Sequence, residues 1–385
     1  MPAETSDALV RRLRPHTSSL FGEASRLALV HGAIDLGQGF PDYEGPAAML
    51  EVARDAISGG MNQYSPSTGL PSLRSAIVAD RAPRTGDCYD PESEVVVTAG
   101  ATEALTAAVL ALVEPGDEVV VIEPFYDSYT AAIALAGAVR RTVAMIPDGA
   151  GFTLDLDELR RAITPRTRLL VVNSPHNPTG TVFPREVLAA MAELACAREI
   201  LVLSDEVYEH LVFDPARHLS IASLPGMRER TIVVSGAAKT FNVTGWRIGW
   251  ALGPPHLIGA VHAARQYLSF VPPAPFQPAI AYALEHEQAW TAANRTALHR
   301  KYLYFSNALR DCGFDVKRSQ GGYFLCADIT TDAAAFCHDS PTHLGVSAIP
   351  VSALADRPHW NTLIRFAYCK QDPTLQEAIT RLRKV

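Results

Sequence analysis

Short unbroken apolar runs alternate along the chain with stretches in which Ala and Leu recur at helical spacing. The runs at 94–100 (EVVVTAG), 117–124 (DEVVVIEP), 168–175 (RLLVVNSP), 200–206 (ILVLSDE) and 230–237 (RTIVVSGA) read as strands. The stretches at 101–113 (ATEALTAAVLALV) and 128–138 (SYTAAIALAGA) read as the helices between them. A strand apolar at consecutive positions has no face to give to water. The pattern therefore predicts a mainly parallel sheet covered by helices on both faces. Sheets of that kind bind ligands beyond the carboxyl ends of their strands. The polar, glycine-containing ends VTAG, NSPHNPTG, SDEVYEH and SGAAK are thus where chemistry should be sought.

The texture changes near residue 280. A long helical pattern leads into GGYFLCADI and TLIRFAYCK, which predicts a smaller α+β domain over 280–385. The large domain then covers 41–279, and residues 1–40 are expected to pack on the small domain as an arm.

Bulk properties narrow the classes of function. The chain has 385 residues, 48% of them hydrophobic, and a formal net charge of −7. Nucleic-acid binding would need a basic stripe, so no nucleic-acid partner is expected. AAVLALV at 107–113 is too short to span a bilayer, and no apolar run follows the arginines of the opening stretch, so neither membrane insertion nor secretion is expected. The six cysteines form no C-x-x-C pair and share no zinc-type spacing with histidine, which predicts no metal and reduced thiols in a cytoplasm.

Four strand ends carry candidate chemistry. Gly100, Ala101 and Thr102 open a helix directly after a strand, where free N–H groups and the helix dipole attract an anion. NSPHNPTG holds two X-Pro bonds three residues apart, a rigid turn that aims the amides of Asn173 and Asn177. Asp205 ends an apolar strand and needs a cationic partner or a helix to cap, with Tyr208 three residues on. Lys239 follows TIVVS, with Arg247 eight residues later. Each signal has an ordinary structural reading: a turn, a cap, a surface charge. Together they match one molecule. The 100–102 turn and Arg247 suit a phosphate, Asp205 a protonated ring nitrogen, Tyr208 and Asn177 a phenolate oxygen, and Lys239 an aldehyde. Pyridoxal phosphate (PLP) has all four.

These motifs, with LGQGFPD (36–42), NQYSPSTGLPSLRSAI (62–77), EPFYDSY (123–129), GGYFLCAD and IRFAYCK, resemble the class I aminotransferases nearly end to end. Within them the chain is most similar to N-succinyldiaminopimelate aminotransferases and to kynurenine, glutamine and methionine aminotransferases. The resemblance implies the fold type I of PLP-dependent transferases, with a seven-stranded, mainly parallel sheet. It implies that Lys239 holds the cofactor aldehyde and moves the proton, and that Asp205 keeps the ring nitrogen protonated. Tyr208 and Asn177 would bind the ring oxygen, Phe125 would stack on the ring, and Gly100, Ala101, Thr102 and Arg247 would hold the phosphate. Arg365 would clamp the substrate α-carboxylate, helped by Asn177 and Gly39. Tyr64 and Phe270 would complete the site of a neighbouring subunit, making the active unit a homodimer. The partners are then an amino acid and a 2-oxo acid. One departure stands out. The family usually has serine three residues before the lysine, where this chain has Gly236, so either Ser235 reaches the phosphate from a shifted backbone or one hydrogen bond to the phosphate is missing. Other PLP reactions, such as β-elimination, oxidation or a tailoring step, would use the same lysine and carboxylate clamp.

Overall fold

The computed structural model describes residues 8–16 and 20–383, so residues 1–7 and 17–19 of the expected arm lie outside the described residues. Eight strands form the central sheet: β1 (Val95–Thr98), β2 (Glu118–Glu123), β3 (Val139–Asp148), β4 (Gly151–Leu154), β5 (Thr167–Asn173), β6 (Leu201–Asp205), β7 (Thr231–Gly236) and β8 (Gly249–Leu252). Their spatial order is β1-β8-β7-β6-β5-β2-β3-β4. The five strands from β7 to β3 run parallel, while β8 is antiparallel to both its neighbours. The expected seven-stranded sheet is thus present, and β4 adds an eighth strand as an antiparallel hairpin on β3. No unbroken apolar run announces β4: its four residues, GFTL, open on glycine and include threonine.

Alternation along the inner strands builds two separate cores. Val119 and Val121 of β2 join Leu169, Val171, Leu203 and Ile232 in the layer under the helix Ala101–Leu112. Val120 and Ile122 face the other way, with Leu170, Val172 and Val202, into the layer under the helix Arg185–Ala197. Each side chain buried this way contributes about 1.5–3 kcal/mol.

A second body rests on a four-stranded antiparallel sheet that contains β9 (Phe324–Asp328) and β10 (Leu363–Ala367). Leu298, Tyr302, Phe305 and Leu309 of the helix Gln288–Asp311 pack into its core, whereas the preceding helix Gln277–His286 packs with the large body. Leu36 enters this second core, and Ile34–Asp35 pairs in parallel with Val346–Ser347. Residues 34–36 therefore lie on the C-terminal body, whereas the turn Arg11–His16 packs against the helix Asp127–Ala136 of the large body. No helix among the described residues is long and apolar enough to cross a membrane.

Candidate active site

A cavity of about 320 Å³ opens at the carboxyl ends of the parallel strands, between the two bodies. Its size falls within the range of small-molecule pockets. Lys239 rises into it from the short helix Ala237–Thr240 that follows β7. The ammonium Nζ lies 3.4 Å from the Gly39 carbonyl oxygen and 5.2 Å from the centre of the Tyr323 ring. Burial, followed by the Arg365 and Arg247 charges, brings its pKa down to about 8 against the opposing pull of Cys369 and Asp205.

Asp205 ends β6 and is 3% exposed. It accepts a hydrogen bond from the Tyr129 hydroxyl at 2.6 Å, and the Val207 N–H lies 3.3 Å from its other oxygen. Burial still outweighs both and pushes its carboxyl up to about 6. A buried carboxylate with hydroxyl and amide donors but, among the described residues, no cation in contact is a place suited to a ligand's positive charge.

The anion cradle is built from Gly100 and Arg247. Gly100 has φ +84°, and a Cβ there would stand 2.4 Å from Arg247 Nη2. Arg247 itself occupies the left-handed region at φ +53°, and its Nη1 donates to the Thr244 carbonyl. Such a backbone costs a non-glycine residue roughly 1–2 kcal/mol and persists where surroundings impose it. Ala101 and Thr102 supply first-turn N–H groups with no acceptor inside the helix.

Arg365, on β10, is 1% exposed. Its Nη1 donates to Asn177 Oδ1 at 3.0 Å and its Nη2 to the Gly37 carbonyl at 2.6 Å, while the ring of Phe324 lies 3.9 Å below. The buried Nε has no hydrogen-bond partner among the described residues. An orphan donor on a fully buried guanidinium fits an incoming carboxylate. Asn177 is held in turn by its own N–H, donated to Asn173 Oδ1 at 2.7 Å. The residues present therefore fit PLP: an anion cradle kept open by glycine, an unpaired carboxylate, and a lysine of depressed pKa in one cavity.

The structure brings Gly39, Ala101, Thr102, Asn177, Asp205, Tyr208, Lys239, Arg247 and Arg365 together around this cavity, with Gly100 backing the Arg247 guanidinium. Two expectations need correction. Phe125 does not line the cavity. Its N–H donates to the Leu354 carbonyl and its ring packs into the sheet core, 4.8 Å from the Arg140 guanidinium. The next residue in this extended segment faces the other way, so Tyr126 presents the aromatic wall instead. Ser235 is also turned away. It is 1% exposed, and its hydroxyl donates to Glu209 Oε1 at 2.6 Å beneath the sheet. Side chains alternate along β7, so Gly236 is the one at the cavity.

Tyr64 and Phe270 lie outside the cavity, on the surface. They are 80% and 55% exposed, and their rings meet edge to face at 5.2 Å. Sequence reasoning missed Tyr126, Tyr129 and Gln38 as lining residues. The i, i+3 spacing of the two tyrosines at the start of the helix Asp127–Ala136 was a usable signal; nothing in the sequence separates Gln38 from an ordinary loop residue.

Residues 31–382 match the model of the aminotransferase class I and II family, and the chain belongs to that family. It is an aminotransferase, from a family that works with PLP. It is 56% identical, over 97% of both chains, to a Mycobacterium tuberculosis protein named probable N-succinyldiaminopimelate aminotransferase DapC. It superposes on the solved structure of the N-succinyldiaminopimelate aminotransferase from Mycobacterium tuberculosis with a TM-score of 0.97, covering 98% of this chain and 99% of that one at 57% identity. The methionine aminotransferase of Escherichia coli is 38% identical over 96% of both chains.

Proposed function

We propose that this chain transfers the α-amino group of an L-amino acid to 2-oxoglutarate or a similar 2-oxo acid, and that its donor pair is N-succinyl-LL-diaminopimelate and glutamate. The observation that carries the transfer reading is the convergence of Lys239, Asp205, Arg247 and Arg365 on one cavity. The donor rests on 56% identity along the whole chain, well above the 38% shared with the methionine enzyme.

PLP, when bound, withdraws electrons from the substrate Cα through its protonated ring. The remaining work falls to the protein. With a pKa near 8, Lys239 keeps an appreciable neutral fraction at cellular pH, so it can attack an aldehyde and then accept and return a proton. Asp205 supplies the negative charge that keeps a ring nitrogen protonated. Tyr208 and Asn177 orient the ring oxygen, while the 100–102 turn and Arg247 hold a phosphate. Arg365 binds the α-carboxylate of donor and acceptor in turn. One carboxylate clamp serving both half-reactions gives ping-pong kinetics. Tyr64 and Phe270, two exposed rings on one patch, are assigned to the partner's site in a homodimer. All six cysteines are free, in keeping with a reducing cytoplasm.

Steady-state assays with N-succinyl-LL-diaminopimelate, methionine, kynurenine and glutamine, side by side with 2-oxoglutarate, test the donor. The succinylated donor is expected to have the highest kcat/KM. If methionine or kynurenine matches it, the donor assignment falls and a methionine- or kynurenine-type aminotransferase remains. Release of ammonia without matching formation of glutamate would point instead to elimination or oxidation.

A further inference from the structure

A buried ionic network lies on the far side of the strand ends from the cavity. Glu206 accepts from Ser204 Oγ at 2.9 Å, Ser220 Oγ at 2.6 Å and Arg81 Nη1 at 3.0 Å, with His218 Nε2 also at 3.0 Å. Glu209 accepts from Ser235 Oγ at 2.6 Å, Arg84 Nη1 at 3.0 Å and Arg81 Nη1 at 3.1 Å. Glu206, Glu209 and His218 could in principle hold a metal ion, but Arg81 already bonds both carboxylates as a fixed cation.

Glu209 links two segments that both carry the site. It follows Tyr208 directly, in the turn that leaves Asp205. Its partner Ser235 stands four residues before Lys239. Ser235 follows the fully buried apolar residues Val233 and Val234 on β7, and among the described residues its hydroxyl bonds that carboxylate alone. A short bond to a carboxylate in a low-dielectric interior is among the strongest a hydroxyl makes. With Gly236 facing the cavity and bearing no side chain, the Ser235–Glu209 bond holds the turn into Lys239 from behind.

We propose that Glu209, acting through Ser235, is a positioning residue that fixes the Lys239-bearing turn relative to the Asp205–Tyr208 turn. This rests on Lys239 being the cofactor-bearing lysine. The test uses the purified full chain, stripped of PLP and titrated with it by fluorescence, and the pH midpoint of the absorbance change of the loaded protein. Ser235→Ala should raise the PLP dissociation constant by about tenfold or more, the worth of one hydrogen bond to a charged group. It should also move the absorbance midpoint and lower kcat more than it changes KM for the donor. Ser235→Thr, which keeps the hydroxyl, should restore all three. Combined with Glu209→Gln, Ser235→Ala should add little to the effect of Glu209→Gln alone. Wild-type affinity and midpoint in Ser235→Ala would overturn the proposal, and so would effects that simply multiply in the double variant. A merely structural serine would lower the urea midpoint without moving the absorbance midpoint. If wild-type protein fails to attach PLP at Lys239, the functional reading itself is lost; if it attaches PLP and Ser235→Ala behaves like wild type, only this proposal is.

Discussion

Asp205 and Glu206 are consecutive buried carboxylates at one strand end, yet their acidities move in opposite directions. Burial lifts Asp205 to about 6, because the hydroxyl and amide donors and the more distant Lys239 charge only partly oppose it. Burial resists ionisation of Glu206 as well, but Arg81 and His218 outweigh it and hold the carboxyl down at about 2. Successive side chains at a strand end point to opposite faces, so one chain turn feeds two regions. Beneath the sheet every anion has a cation. In the cavity, among the described residues, Asp205 has no cation in contact and Arg365 Nε has no partner, and Lys239 has lost much of its basicity. Paired buried charges belong to the framework; unpaired ones mark where a ligand brings the missing charge.

Substitutions on the two sides should therefore fail differently. The largest effect is expected from Lys239→Ala, on the unpaired side. Turnover should fall by roughly 10⁴-fold or more, since the base and the covalent anchor vanish together, while the urea midpoint of the cofactor-free protein should not drop. Glu206→Gln strikes the paired side. Arg81 would keep Glu209 and Asp87 but lose one anion, which should cost about 1–3 kcal/mol of stability, read as a lower urea midpoint.

Asp205→Asn separates the regions by pH. A carboxyl whose pKa is higher folded than unfolded costs stability once ionised. The cost is absent below its ordinary value of 3.8, grows through the acid range and is complete above about 6. Cofactor-free Asp205→Asn should accordingly be more stable than wild type by up to about 3 kcal/mol near pH 8, with almost no gain near pH 4. Thermal unfolding at the two pH values checks this, and an equal gain at both would mean Asp205 is not an unpaired charge.

Arg365→Lys keeps the charge but loses the fork. Its kcat/KM should drop on the order of a hundredfold for every donor. The smallest effect is expected at Gly236. A Cβ there would meet the Ile248 carbonyl oxygen at 3.0 Å and Gly249 Cα at 3.1 Å, so Gly236→Ser must displace backbone by a few tenths of an ångström. With the turn already tied through Ser235, Gly236→Ser should weaken PLP binding a few-fold in a fluorescence titration, whereas tighter binding would mean that the cradle lacks a ligand there.

The contrast also explains what the sequence could reveal. The strand ends were legible because parallel strands write their burial as unbroken apolar runs, and a Lys, Asp or Gly at the end of such a run is conspicuous. The antiparallel hairpin strand at Gly151–Leu154 left no such trace. Errors at the site came from facing. Phe125 and Tyr126, or Ser235 and Gly236, differ by one residue, and which of each pair meets the cavity depends on the strand's orientation in the assembled sheet. The ionic network was invisible for a related reason: Arg81 comes from a helix 125 residues before Glu206, and nothing local announces the pairing.

Borohydride reduction of the PLP-loaded protein, followed by peptide mapping, tests the central claim most directly. The lysines buried elsewhere are engaged: Lys301 bonds the Lys370 carbonyl and lies 3.6 Å from Asp372, and Lys370 donates to the Phe40 carbonyl at 2.9 Å. The pyridoxyl label is expected on Lys239 alone. A label on Lys301 or Lys370, with Lys239 unmodified, would contradict it.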